Sequence, residues 1–497
     1  MDLDRATCYQ AMRSRDRRFD GRFFVGVRTT GIYCRPICPA PTPKLENVDF
    51  YACAAAAEHG GFRPCRRCRP ETAPGTPAWV GTSAVVARAL RLIRAGATDE
   101  AGVGALAGRL GLGARQLRRL FEQHLGTSPA AVARARRVHF ARALLDDSDL
   151  PITAVAFAAG FRSLRQFNHA VRTTFDAAPR ALRRRRTAAP TPGAPLTIRV
   201  PYRPPLDWQA LLGFLAPRAT PGVEAVSGGR YQRTVAIDGA SGAISVRPVP
   251  GTPALLVELR LGGCAGVLEL VERVRRVFDL DADPLHIASH LARSPLLRPL
   301  VTAAPGMRVP GAWDPFELAV RAILGQQVSV RAATTLAGRL AAAFGTAVDC
   351  GNGLTRQFPR PEVLADADVA SIGVPNARGA AVRALAAAVA RGEPVLDAPR
   401  GREAAVERLC AIPGIGVWTA EYIAMRALGE PDAFPAADLG VREALGNGAG
   451  PLSASVAERL SAPWRPWRAY AVMHLWASLA SADEGAPRRD EMQTRRT

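Results

Sequence analysis

The sequence predicts a multidomain, mainly α protein in which two small α/β blocks alternate with two all-helical ones. Three observations support this. Pro/Gly clusters at 71–79 (ETAPGTPAW) and 183–195 (RRRRTAAPTPGAP) interrupt the chain. Apolar residues recur at helical spacing through the second and fourth blocks. The third block instead mixes strand-like alternation (YQRTVAI, GAISVRPV, LLVELRL) with one helix, VLELVERVRRVF. At 497 residues there is room for three or four domains. The expected boundaries are 1–75, 80–186, 196–290 and 300–482, with 483–497 as a disordered tail.

Composition narrows the partners. A hydrophobic content of 48% is globular, and no apolar run is long enough to cross a membrane. The formal net charge of +21 favours a polyanion, above all nucleic acid. Part of that charge reflects an arginine-rich composition, because Lys44 is the only lysine. Nine cysteines with no signal peptide suggest a reducing compartment, so a cytoplasmic, nucleoid-associated protein is expected.

The first block carries two short cysteine pairs, Cys34 with Cys38 in TTGIYCRPIC and Cys65 with Cys68 in FRPCRRCRPE. Each pair can hold one edge of a tetrahedral metal, so the spacing predicts a single four-cysteine Zn²⁺ site. Buried free thiols or two disulfides are the weaker alternatives, given the arginines crowding the pairs. Cys53, between the pairs, reads as a core residue.

The second block repeats itself imperfectly. Ala107, Gly111, Leu117 and Pro129 recur as Ala156, Gly160, Phe167 and Pro179, with one residue inserted midway. An Ala packed on a neighbouring helix, followed four residues on by a turn Gly, is helix-turn-helix logic. Each unit then supplies a basic helix, with Arg115 and Arg118 in the first and Arg162 and Arg165 in the second. Two such helices suit successive major-groove faces of double-stranded DNA. A helical bundle with a solvated basic face is the plainer alternative.

In the fourth block, 409–442 reads LCAIPGIGVWTAEYIAMRALGEPDAFPAADLGVR. The turn containing Gly414 and Gly416 exposes backbone N–H groups at a helix N-terminus, with no side chain to block a phosphate. Asp438 follows a Pro-containing loop. It can cap the helix beginning at Leu439, act as a functional carboxylate, or do both.

Three resemblances add to these readings. Residues 23–71 resemble the zinc domain of the Ada family over the whole cysteine block. The resemblance implies that Cys34 accepts a methyl group from a DNA methylphosphotriester, once and irreversibly. Four thiolates around Zn²⁺ carry a formal −2, and methylation leaves −1, so Arg35, Arg63, Arg66, Arg67 and Arg69 would then dominate toward the DNA backbone. A purely structural site is the rival, since four-cysteine zinc sites are more often structural. About a hundred residues of the second block resemble the AraC-type regulators, including AxxxGFRSLRQF. Asp176 departs from that pattern, which commonly has Gly before the closing proline.

The fourth block is similar to the helix-hairpin-helix (HhH-GPD) base-excision glycosylases. With VPYRPPLDWQALLGFLAPRA, AILGQQVSV and RPWRAYAVMHLW, the similarity to the inducible, AlkA-like 3-methyladenine DNA glycosylases spans about 196–482. It implies a mixed α/β subdomain followed by a two-lobed all-α domain, with Asp438 as the catalytic carboxylate. It also implies an aromatic pocket of Phe214, Trp418, Tyr422 and Trp476, whose ring faces attract a cationic alkylated base. Trp464 and Trp467 read as plain core. The wedge that fills the gap left by a flipped base would be Gln327, where some relatives have leucine. Relatives that also cut the strand use a lysine where this chain has Trp418, and no lysine follows Lys44; a monofunctional enzyme using water is expected. The last cysteine is Cys410, so no Fe–S cluster is expected.

The expected function is therefore an alkylation-damage response: a methyl-accepting sensor, a transcription regulator and a glycosylase for alkylated bases in one chain. Damaged DNA and promoter DNA are the expected partners, with RNA polymerase, and the chain is expected to act as a monomer. No PCHR-like motif occurs, so repair of O6-methylguanine is not expected. The rival reading is a regulator with a structural zinc site and a non-catalytic DNA clamp.

Overall fold

The computed structural model describes residues 4–74, 84–98, 102–183, 195–237, 239–263, 266–351, 353–397 and 401–485. Most of both Pro/Gly clusters, and the expected tail beyond Gly485, lie outside the described residues. Residues 483–485 close the terminal helix, Arg468–Gly485. Among the described residues no helix is long and apolar enough to cross a membrane.

The first block begins with helix Arg5–Ser14, which Asp4 caps by accepting the Thr7 N–H. A four-stranded sheet follows, ordered Val48–Tyr51, Phe24–Val27, Ile32–Cys34, Arg63–Pro64. Strand alternation sends Val25 toward Cys8 and Met12 on one face, and Phe24 and Tyr33 toward Ala57 on the other. The last strand runs parallel to Ile32–Cys34, with Tyr33 opposite Pro64. That register brings the two cysteine pairs together.

The second block holds two helix-turn-helix units on either side of a long helix, Pro129–Asp147. The units are Gly102–Arg109 with Ala114–Leu125, and Ile152–Ala158 with Leu164–Phe175. The repeat positions have the physical roles their types suggest. Ala107, Ala156, Leu117 and Phe167 are buried, and Gly111 and Gly160 take left-handed φ of 70° and 78°. Pro129 and Pro179 open helices, where a missing N–H costs nothing. Asp176 ends its helix at φ 52°, as Gly126 does at φ 68° in the first unit. Aspartate tolerates that conformation better than most residues, and here Arg63 of the first block pairs with it at 2.5 Å.

The third block is a five-stranded antiparallel sheet, ordered Leu196–Pro201, Ala254–Leu261, Ala240–Pro248, Arg230–Ile237, Glu224–Ser227. Helices Trp208–Leu215 and Val267–Val277 pack against it. One continuous core joins this sheet to the second helix-turn-helix unit, running from Val138 and Phe167 to Ile198 and Val271. The linker composition is compatible with independent modules; the structure instead docks them.

The remaining helices form two lobes. One packs Pro315–Leu324, Val330–Phe344, Asn376–Ala390 and Val417–Arg426 around Ile323 and Leu385. The other packs Pro284–Leu291, Leu439–Gly446 and the terminal helix around Phe434, Trp464 and Trp467. A cleft separates them.

Candidate active site and metal centre

The sulfurs of Cys34, Cys38, Cys65 and Cys68 lie within 4.8 Å of one another. Four thiols so close cannot all ionise without a compensating cation, and four soft sulfur donors suit Zn²⁺. Cys53 stands apart, buried in the neighbouring core with its thiol 3.8 Å from the Leu125 carbonyl. The flanking arginines do not form one free basic face. Arg35 is half-buried and held by Asp20, with its Nη1 donating to Thr72 at 2.9 Å. Arg69 is tied to Glu71 and Asp146, and Arg63 to Asp176. Arg66 and Arg67 remain exposed. Carboxylates remote in sequence claim the others, which local reading does not reveal.

Arg115, Arg118, Arg162 and Arg165 are all exposed at the starts of the two second helices. Ser163 caps the second of these by accepting the Gln166 N–H at 3.2 Å.

The interlobe cleft opens into a cavity of about 640 Å³ bordered by Trp418, Tyr422, Asp438 and Trp476. Trp418 and Tyr422 stack with centroids 5.7 Å apart, four residues apart on one helix. Trp476 stacks on Phe214 at 6.2 Å. Asp438 is both cap and cavity carboxylate. Its Oδ1 accepts from the Val441 N–H at 3.0 Å and from Trp476 Nε1 at 2.9 Å, and its Oδ2 accepts from Trp418 Nε1 at 2.9 Å. Two indoles and a helix end thus fix both oxygens.

At the rim, Gly416 is the N-cap of helix Val417–Arg426, and a Cβ there would meet open space. Gly414, at φ 86°, has no such freedom, because a Cβ would lie 2.5 Å from that of Ala381. Gln327 is exposed at φ 56°, between Gly325 and Val328, which line the cavity while it does not. Its neighbour Gln326 holds that turn, donating to the Gly414 carbonyl at 2.9 Å and to Thr419 Oγ1 at 3.0 Å. The Gln326–Gln327 loop and the Gly turn are therefore stapled together.

Comparison with known proteins bears on this arrangement. A probable bifunctional transcriptional activator/DNA repair enzyme AlkA from Mycobacterium tuberculosis is 47% identical over 484 residues, covering 96% of this chain and 97% of that protein. The chain belongs to the bifunctional transcriptional activator/DNA repair enzyme AlkA family. Four family models match this AlkA-family chain in succession: the metal binding domain of Ada at 7–71, a helix-turn-helix domain at 106–185, the AlkA N-terminal domain at 197–314, and the HhH-GPD superfamily base excision DNA repair protein at 320–464. DNA-3-methyladenine glycosylase 2 of Escherichia coli is 34% identical over 284 residues, 55% of this chain and 95% of that one. The 3-methyladenine DNA-glycosylase from Archaeoglobus fulgidus shares the fold, with a TM-score of 0.50 and 24% identity over 56% of this chain and 96% of that one. Together with the four-sulfur cluster, the Ada match makes the cysteine site of this AlkA-family chain a one-zinc site.

Sequence reading missed the two cavity-lining cations that face Phe214. The Arg218 guanidinium lies 3.9 Å from the Phe214 ring centroid and that of Arg426 lies 4.7 Å from it. Arg426 also donates to the Tyr422 hydroxyl at 2.8 Å. Burial alone would raise the Tyr422 pKa, but Arg426 and Arg218 outweigh it and hold the phenol below its ordinary value. Burial likewise lowers Arg218. Phe214 is therefore engaged by two guanidinium groups and by the Trp476 ring. The signal was available: each arginine lies four residues after its aromatic on a helical stretch.

Proposed function

We propose that this chain senses methylation damage at Cys34, regulates transcription through its two helix-turn-helix units, and excises alkylated bases in the interlobe cavity. The observation that carries the excision reading is Asp438, a carboxylate held at the cavity by two indole N–H donors. A flipped N-alkylated purine stacks on Trp418 and Trp476. Its positive charge already makes it a good leaving group. The C1′–N bond breaks with its electron pair departing on the base, and the cation developing on the sugar faces Asp438. Water then adds at C1′ and gives up a proton, hydrolysing the bond. Because Oδ1 already accepts two hydrogen bonds, the carboxylate serves chiefly as a fixed negative charge. Gly414 and Gly416 grip a backbone phosphate, and Gln327 enters the space vacated by the base.

At the sensor, bound Zn²⁺ keeps the four sulfurs deprotonated at neutral pH. The Cys34 sulfur attacks the methyl carbon of a methylphosphotriester; the S–C bond forms, the C–O bond breaks, and a phosphodiester anion leaves. One negative charge is lost from the cluster, which favours Arg66 and Arg67 meeting phosphate. Arg115, Arg118, Arg162 and Arg165 read promoter DNA, and the monomeric, nucleoid-associated cytoplasmic protein recruits RNA polymerase there.

One sample tests both activities. Purified protein is incubated with methylated DNA, followed by intact-mass measurement and assay of released bases. One added methyl on Cys34 and free methylated purines are expected. Released base without methylation would leave a glycosylase with a structural zinc site, and methylation without release would leave a sensor with a DNA clamp.

A further inference from the structure

The sensor–regulator half and the glycosylase half meet along a seam whose charges are sorted by side. Six described ion pairs place the arginine on the sensor–regulator half and the carboxylate on the other. Among them are Arg94–Asp281 at 2.5 Å, Arg109–Asp397 at 2.7 Å and Arg136–Glu272 at 3.2 Å. One pair, Arg199–Asp147 at 3.1 Å, runs the other way.

Glu430 takes part in two of these six pairs. It is 3% exposed, accepts from Arg91 Nη2 at 3.0 Å, and faces Arg88 Nε at 3.6 Å. Among the described residues no arginine of its own half pairs with it. A carboxylate withdrawn from water is tolerated only beside a cation, so the buried state of Glu430 depends on the regulator helix Ala84–Arg94.

The seam also touches the cavity. The Glu430 N–H donates to the Ala424 carbonyl at 3.0 Å, tying it to the last turn of helix Val417–Arg426. Arg426, in that turn, borders both the cleft at the seam and the cavity beyond it. It is braced on the Pro310 carbonyl at 2.7 Å while holding Tyr422 and facing Phe214. The phosphate-facing turn is at the opposite end of the same helix, about 15 Å away along its axis. With the halves docked, Gly414 and Gly416 of that turn stay exposed.

We propose that the sensor–regulator half docks on the glycosylase half through this seam, and that Glu430 is a positioning residue for the base cavity, acting through the turn that carries Arg426. The positioning role rests on the reading of that cavity as the site of excision.

The test uses the full chain in four forms: wild type, Arg88→Glu with Arg91→Glu, Glu430→Arg, and all three changes together. Amide hydrogen exchange over 424–434 reports docking, and single-turnover base release from methylated duplex reports the cavity. Each charge reversal should speed exchange and slow release by about tenfold, and the combined variant should restore both. Unchanged exchange, or no rescue in the combined variant, overturns the seam. Faster exchange with unchanged release overturns the positioning role. If wild-type protein releases no methylated base, the cavity reading and the positioning role fall together, and exchange alone still decides the seam.

Discussion

Replacing Asp438 with Asn separates its charge from its architecture. Asn caps helices as well as Asp does, so helix Leu439–Gly446 should form unchanged. The amide oxygen can keep the Val441 N–H and the Trp476 indole. Its nitrogen then faces the Trp418 indole, donor against donor, where 2.9 Å now separates donor from acceptor. Losing that hydrogen bond costs about 1 kcal/mol. The larger effect is electrostatic. A cation developing about 4 Å from a carboxylate gains about 4 kcal/mol at an effective dielectric of about 20. At about 1.4 kcal/mol per decade, excision should slow about a thousandfold. Single-turnover release of methylated purines measures this, with DNA affinity and thermal midpoint as controls near wild type. Release within about threefold of wild type would refute the assignment of the charge to Asp438.

Two further outcomes follow, one from the same carboxylate and one from a contact in the other half of the chain. Trp418→Phe keeps a stacking ring but removes the only donor to Oδ2 among the described residues, so single-turnover release should slow about tenfold with DNA binding unchanged. A buried joint between sensor and regulator should make stability pH-dependent. His139 Nε2 lies 2.7 Å from Glu58, whose carboxylate also accepts from the Tyr33 hydroxyl at 3.0 Å. Burial would lower the His139 pKa, but the Glu58 carboxylate outweighs it and raises it above 6.5. The imidazolium's contribution is therefore complete below the unfolded value and is lost as pH rises through the folded one. The thermal midpoint should fall as pH climbs above about 6.5, and His139→Asn should flatten that slope.

What was legible in the sequence is what short-range pattern encodes. Paired cysteines, the repeated Ala, Gly and Pro positions and the Gly turn before Asp438 each fix geometry within a few residues. The cavity aromatics were legible through resemblance, and the structure brings Trp418, Tyr422 and Trp476 together around Asp438. The contacts that escaped join residues far apart. Arg63 meets Asp176 and Arg91 meets Glu430, and no periodicity marks either pair. Asp176 shows the limit from the other side. Its departure from glycine was visible, but its reason, a left-handed cap that also receives Arg63, exists only in three dimensions.

Under its proposed role, Asp438 has little room to change. Side chains that cap as well, such as Asn, Ser or Thr, carry no charge, and Glu carries the charge on a stem too long for the cap. Damage at this codon therefore splits from damage elsewhere in the core. A chain with Asn here would still fold and still hold a lesion it could not remove. In a cell carrying both forms, that copy would shield lesions from the working one, and the defect would be dominant where an unfolded chain's would be recessive.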